Sequence, residues 1–202
     1  RGSFSDGYFI LSSQQLKYID APIMDLINPY IHYFTVTEVK KIDCTYGDTS
    51  FEFTIETVDK ISSEDARVLL NGRNAKIFNS SKRCYAAILF ESLACIDIGG
   101  VEMDANPVLE NPVLSFKIID VNFRATEIAF VERDTSSYYC FINGEYSNFY
   151  VYARELFNDG GLDTYQYGII PAYELTNEAI DNNFGKAKDD ITVIVAKVVQ
   201  KK

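Results

Sequence analysis

The chain has 202 residues, a net charge of −10 and an apolar fraction of 47%. That acidity argues against nucleic acid as a partner, because phosphate binding needs clustered Lys and Arg, and the only basic cluster (Lys197, Lys201, Lys202) reads as a solvated tail. The apolar fraction argues against long disorder, and the longest apolar run, "YAAILF", is far short of the roughly 20 residues that cross a bilayer.

Residues 1–3, Arg-Gly-Ser with no Met, read as a cloning scar and are set aside. Residues 4–34 read as a strand followed by a helix that starts at Ser12-Ser13 and kinks at Pro22, the tail of a third repeat unit. The first full unit is expected over 35–105. Its "IDCTYGDTSFEFTIE" alternates Ile42, Cys44, Tyr46 and Phe51, Phe53, Ile55 with polar neighbours, and Gly47-Asp48 supplies the turn. A second hairpin turns at Asn71-Gly72, where both residues tolerate positive φ. A helix follows over about Ser80–Ile96, with Tyr85, Ile88, Leu89 and Ile96 on one face, and Gly99-Gly100 is expected to end it as a left-handed cap.

The second unit is expected over 106–161, after the Pro-containing linker "DANPVLENPV" (104–113). Placing Ile42 on Ile119 aligns the first hairpins without a gap and puts Ile119, Val121 and Phe123 on the core side, a turn over Arg124–Thr126, and Ile128 and Phe130 on the return strand. Asn143-Gly144 matches Asn71-Gly72, which makes the stretch between the hairpins five residues shorter in the second unit. A helix over about Val151–Asn158 then ends at Gly160-Gly161. The C-terminal extension, 162–202, offers a helix near Ala172–Asn183 and a closing strand "ITVIVAKVV" that is apolar on both faces. The expected fold class is α+β: two pseudo-repeats of antiparallel β-hairpins with one helix each, the helices packed on one face of an antiparallel sheet.

The residues that carry the repeat, "VLLNGRNAKIF…YAAILFESL", "NPVLSFKII…ATEIAFVE" and "YYCFINGEYSNFYV", resemble a bacterial domain-of-unknown-function family over about residues 8–160. Its members occur in membrane-anchored or lipoprotein-like proteins, some beside gliding-motility-type ABC transporter components. The resemblance implies an extracytoplasmic setting and a protein partner in the cell envelope. It implies no chemistry, because none of the matching motifs is catalytic. A second likeness, of "DDITVIVAKVV" and "DGYFILSS" to strands of metal-dependent Ser/Thr phosphatases, fails for want of the Asp-Gly metal motifs those enzymes need.

Few residues invite chemistry. His32, the only histidine, lies among aromatics in "NPYIHYF" with no nucleophile context and reads as a packing or surface residue. Cys84 follows Lys82 and Arg83 near a helix start, which would favour a thiolate, yet it shares the register of Ile88 and is expected to be buried. Cys84 and Cys95 are too far apart on one helix for a disulfide; the pairing of Cys44 and Cys140, in strand-like runs, is left open, and all four are expected to be buried thiols acting as small apolar residues. The acids in "DIGGVEMD" (97–104) and "NDGGLD" (158–163) suggest a calcium loop without fitting its known spacing, so helix caps are preferred. Tyr138, Tyr139, Tyr146, Tyr150, Tyr152, Tyr165 and Tyr167 offer stacking faces for a sugar or partner, with half of them forced inward by strand alternation. No catalytic, cofactor-binding or metal-ligating residue is singled out. The expected function is a non-catalytic extracytoplasmic interaction domain of a cell-envelope protein, accessory to an ABC-type transport or gliding-motility-like system; the alternative is a small-molecule or glycan-binding module. Oligomeric state is left open.

Overall fold

The computed structural model describes residues 24, 27–56, 66–79, 81–158 and 167–183. The expected N-terminal strand and helix, the Gly160-Gly161 turn and the closing strand 191–199 lie outside the described residues. The elements in chain order are β1 (Val39–Tyr46), β2 (Thr49–Glu56), β3 (Arg67–Leu70), β4 (Arg73–Asn74), α1 (Tyr85–Ala94), β5 (Gly100–Val101), β6 (Leu114–Asp120), β7 (Ala125–Asp134), β8 (Ser137–Ile142), β9 (Glu145–Tyr152), α2 (Ala153–Phe157) and α3 (Ile169–Asn183). The strands form one antiparallel sheet in the order β4-β3-β2-β1-β6-β7-β8-β9-β5, with the helices against one face. The fold is α+β.

The two units are recognisable in the strand order: β4 to β1 is one four-stranded meander and β6 to β9 the other, joined by the antiparallel pair β1–β6. Their true equivalence is fixed by the two Asn-Gly turns. The Glu52 N–H donates to Asn71 Oδ1 (2.8 Å) and the Asn71 N–H returns a bond to the Glu52 carbonyl (2.8 Å). Glu127 and Asn143 repeat both bonds at 2.9 and 2.7 Å. In each turn the Asn and Gly both adopt positive φ, the geometry whose twist suits adjacent strands.

Glu52 therefore corresponds to Glu127, Phe53 to Ile128 and Ile55 to Phe130. On the other side of the hairpin, the pair Ile42–Phe53 corresponds to Phe116–Ile128. This corrects the sequence alignment, which is two residues out on the return strand and three residues out on the entering one. A shift of two keeps a strand's faces, so Ile128 and Phe130 are core residues as expected. A shift of three exchanges them. Leu114, Phe116 and Ile118 form the buried face of β6, whereas Val121 and Phe123 are exposed in the turn. That turn spans 121–124 and is anchored by the Asp120 carboxylate, which accepts from the Asn122 and Arg124 N–H groups.

The seam β1–β6 obeys the same equivalence. Asp43 faces Lys117, Ile42 faces Ile118 and Cys44 faces Phe116. Asp43 and Lys117 are equivalent positions, so a pseudo-two-fold axis passes between them, perpendicular to the sheet. The two units meet as subunits of a symmetric dimer meet, through the same patch on both.

On the helix side, Ile42, Cys44, Phe51, Phe53, Ile55, Leu114, Phe116, Ile118, Ile128, Phe130 and Cys140 form one continuous core with Ile88, Leu89 and Leu93 of α1, Leu156 of α2 and Ile169 of α3. Ring contacts tie the layers: Phe53 to Phe90, Phe51 flat on Tyr173 at 4.2 Å, and Tyr46 and Tyr138 to Phe157. The opposite face carries a row of charge, Glu52–Asp43–Lys117–Glu127, one residue from each of four neighbouring strands.

Helix limits differ from the sequence reading for local reasons. α1 begins at Tyr85 because Lys82 has φ 62° and the Asn79 side chain captures the N–H groups of Ser81 and Arg83, which holds 79–83 as a turn. It ends at Ala94 with Cys95 as its C-cap, not at the double glycine. Gly100 is instead a strand residue, and a Cβ there would lie 2.5 Å from the Tyr150 hydroxyl. The glycines admit a tyrosine ring rather than cap a helix. α2 is shorter than expected because β9 continues through Tyr152. α3 starts earlier, at Ile169, with Pro171 in the first turn where a missing N–H costs nothing.

Candidate functional site

His32 is half-buried, its ring 5.9 Å from Phe34, and burial lowers its pKa against the opposing pull of Glu38. It is a packing residue. All four cysteines are free. Burial pushes the Cys44 and Cys140 thiols up to about 12 each, so both stay protonated at neutral pH. Cys84 departs from expectation: it is the N-cap of α1 and only partly buried, because the turn at 79–83 lifts it out of the helix.

Among the described residues, no group of three or more His, Cys, Asp or Glu converges to hold a metal. In the loop 97–104, Glu102 is turned to Arg133, whose Nε donates to Glu102 Oε2 at 2.8 Å. The tyrosines gather around that pair. The Arg133 guanidinium lies 4.4 Å from the Tyr150 ring and 5.9 Å from Tyr139, and the Tyr146 hydroxyl donates to the Glu102 carbonyl. Burial, then Glu102, pushes the Tyr146 hydroxyl up to about 12. The polar groups of this cluster find partners within it, so it staples β5 to β9 rather than presenting stacking faces. Tyr138 packs on Phe157, Tyr152 is exposed, and Tyr165 lies outside the described residues.

The sequence offered no site where the structure has a pocket beside α1. A cavity of about 470 Å³ lies between α1, the strands β2 and β3, and the segment Tyr33–Val36. One wall is Phe53 and Ile55 of β2 with Ala66 and Val68 at β3. The other is α1, which presents Ala86, Ala87, Phe90 and Ala94. Phe90 meets Phe34 edge-on at 5.5 Å and Phe53 at 6.3 Å, so three rings make a rigid inner surface. Phe78 and Tyr33, 56% and 53% exposed, stand in the same lining. Polar groups are few: Thr35, Lys76 and Glu91, the last bonded to Arg83 at 3.1 Å.

The pocket exists because α1 is small where it faces the aromatic strands. Its core face carries Ile88, Leu89 and Leu93, while the pocket side carries three alanines. That asymmetry is legible in "YAAILFESLA" only once the helix's neighbours are known. A volume near 500 Å³ with mostly apolar walls and a few polar groups is typical of small-molecule sites, which run about 300–1,000 Å³. A second cavity, of about 330 Å³, lies on the opposite sheet face under Leu109 and Pro112. Its lining mixes Asp43, Lys117 and Glu127 with Phe141, and Lys117 is already bonded to Glu127 at 2.8 Å.

No family model, curated protein or solved structure matches this chain.

Proposed function

We propose that this chain is a non-catalytic binding domain that holds a small apolar ligand in the pocket beside α1. The observation that supports the reading is the pocket itself: a preformed space walled by Phe34, Phe53 and Phe90, with helix alanines in place of the larger residues that would fill it. The resemblance to envelope-associated bacterial proteins supplies the setting of the proposal. There the domain would work outside the cytoplasm, anchored through its parent protein, as an accessory of an ABC-type transport or motility system that recognises an apolar molecule or an apolar group of its cargo.

Ligand occupancy stabilises the folded state by mass action, about 2.7 kcal/mol at a concentration a hundred times the Kd. A melting screen with apolar compounds should therefore raise Tm by several degrees for a subset. Calorimetry on those compounds should give the negative heat-capacity change of apolar burial. Ala86→Phe, which fills the pocket floor, should abolish both effects. Shifts of equal size in wild type and Ala86→Phe would defeat the proposal.

A further inference from the structure

The pocket's outline runs the whole length of α1. The residues that line it, Cys84, Ala87, Glu91, Ala94 and Cys95, follow one stripe at helical spacing from the N-cap to the C-cap. Eleven residues of helix rise correspond to about 16 Å. The facing wall is equally linear, because Phe53 and Ile55 are alternate residues of β2 and Ala66 and Val68 alternate at β3. The 470 Å³ is about three times the ~150 Å³ cavity that accommodates a single benzene ring. Spread along a helix, it is a channel.

From this shape we infer that the ligand is a single extended hydrocarbon chain with one polar end, lying along α1, rather than a compact ring compound. The inference rests on the binding reading above and narrows it to a chemical class. Methylenes suit the lining: the side chains of Ile55, Val68 and the three alanines offer no hydrogen-bonding groups, and each further buried CH₂ adds apolar area, so affinity grows with chain length until the channel is filled. The polar end stays at the open side, where Lys76, Glu91 and Thr35 meet water. Ala87, exposed on the helix stripe, lies one helical turn in from the Cys84 end, and a larger side chain there would obstruct the channel.

The two cysteines report both ends. Cys84 and Cys95 line the channel at opposite ends of α1, while Cys44 and Cys140 are buried in the core and serve as internal references. The full chain is alkylated with iodoacetamide in the presence of octanoate, decanoate or dodecanoate below their micellar concentrations, with anilinonaphthalene sulfonate as the compact probe. Modification is read at each cysteine by peptide mass spectrometry. Dodecanoate should slow alkylation of Cys84 and Cys95 together, at least about fivefold; octanoate should do so less, and Ala87→Leu should remove the effect while the melting curve stays that of a folded protein. Protection of one cysteine only, or equal protection of both by the compact probe, overturns the extended-chain inference and leaves the pocket reading standing. No protection at either cysteine by any probe, with no melting shift in the screen above, overturns both.

Discussion

Asp134 closes the β7–β8 hairpin with its carboxylate. It accepts from the Ser137 hydroxyl at 2.7 Å, the Ser136 N–H at 2.8 Å, the Ser136 hydroxyl at 2.9 Å and Arg133 Nη1 at 2.7 Å. Ser137 is almost fully buried, so its hydroxyl needs a partner at that position. The Ser137 hydroxyl bond, then the Ser136 N–H and hydroxyl, hold the carboxyl down at about 2, below its ordinary 3.8. A depressed folded pKa means the ionised form is the stabilising one. The contribution is fully present above about pH 4 and is lost as pH falls through about 2. Wild type should therefore lose stability over that window more steeply than Asp134→Asn, which keeps the shape but cannot titrate. Urea midpoints taken at steps from about pH 5 to pH 2 test it; parallel curves for the two proteins would show that the hairpin does not depend on this charge.

At the scale of elements, the seam between the units is set by charge as well as by register. Lys41 Nζ lies 3.0 Å from Asp43 and 2.6 Å from Glu52, and so offsets the repulsion between those neighbours, while Lys117 pairs with Glu127 at 2.8 Å. Replacing Lys117 with Asp would set four carboxylates side by side across β2, β1, β6 and β7 against one lysine. Like charges directly opposite in a sheet cost roughly 0.2–1 kcal/mol a pair, so Lys117→Asp should lose about 1 kcal/mol. Asp43→Lys alone exchanges the repulsion with Glu52 for one with Lys117 directly opposite and loses the Lys41 contact, so it should cost less than Lys117→Asp. Made together, the two exchanges rebuild the row in mirror order and should recover most of the loss. The cost should shrink in 1 M salt, where screening reaches about 3 Å. Urea denaturation of the four proteins at low and high salt measures it; a double variant no better than Lys117→Asp would mean the row is a bystander.

The same elements show what a sequence can and cannot tell. Period-two alternation in β1 and β2 and both Asn-Gly turns were legible, because each is a local signal with a local cause. The equivalence of the two hairpins was not. "IDVNF" and "IDCTY" look alike letter by letter, but the second falls on a strand and the first runs from a strand end into a turn, where Asp120 anchors backbone N–H groups instead of standing in a row. Only cross-strand bonds, Glu52 with Asn71 and Glu127 with Asn143, reveal the shift. The double glycine misled for a related reason: the Tyr150 ring that requires it comes from a strand some fifty residues later. The pocket was illegible on the same ground, since three alanines on a helix become a wall only when β2 and β3 stand opposite.

For the whole molecule, the question is whether two pseudo-equivalent units behave as two bodies or one. Their cores are not separable: Ile42 and Ile118 face each other across the seam, and one continuous cluster contains Phe53 of the first unit and Phe130 of the second. α3 binds both. Tyr173 stacks on Phe51, the Thr176 hydroxyl donates to the Tyr85 carbonyl, Arg73 is paired with Asp181, and the helix also packs against α1 and α2. Splitting the units would expose the seam and strip the helix from both, so we expect one cooperative transition. The buried thiols make the test unit-specific, because Cys44 lies in β1 and Cys140 in β8, and each is 1% exposed or less. In pulsed alkylation along a urea gradient, both should become reactive at a single midpoint, coincident with loss of circular dichroism. Phe53→Ala and Ile128→Ala remove equivalent core side chains from the two units and should each cost about 2–5 kcal/mol. Each should move both cysteines together. If Phe53→Ala brought forward Cys44 alone and left Cys140 at the wild-type midpoint, the units would be independent domains sharing an edge, and the symmetry of the seam would be a matter of geometry without energetic coupling.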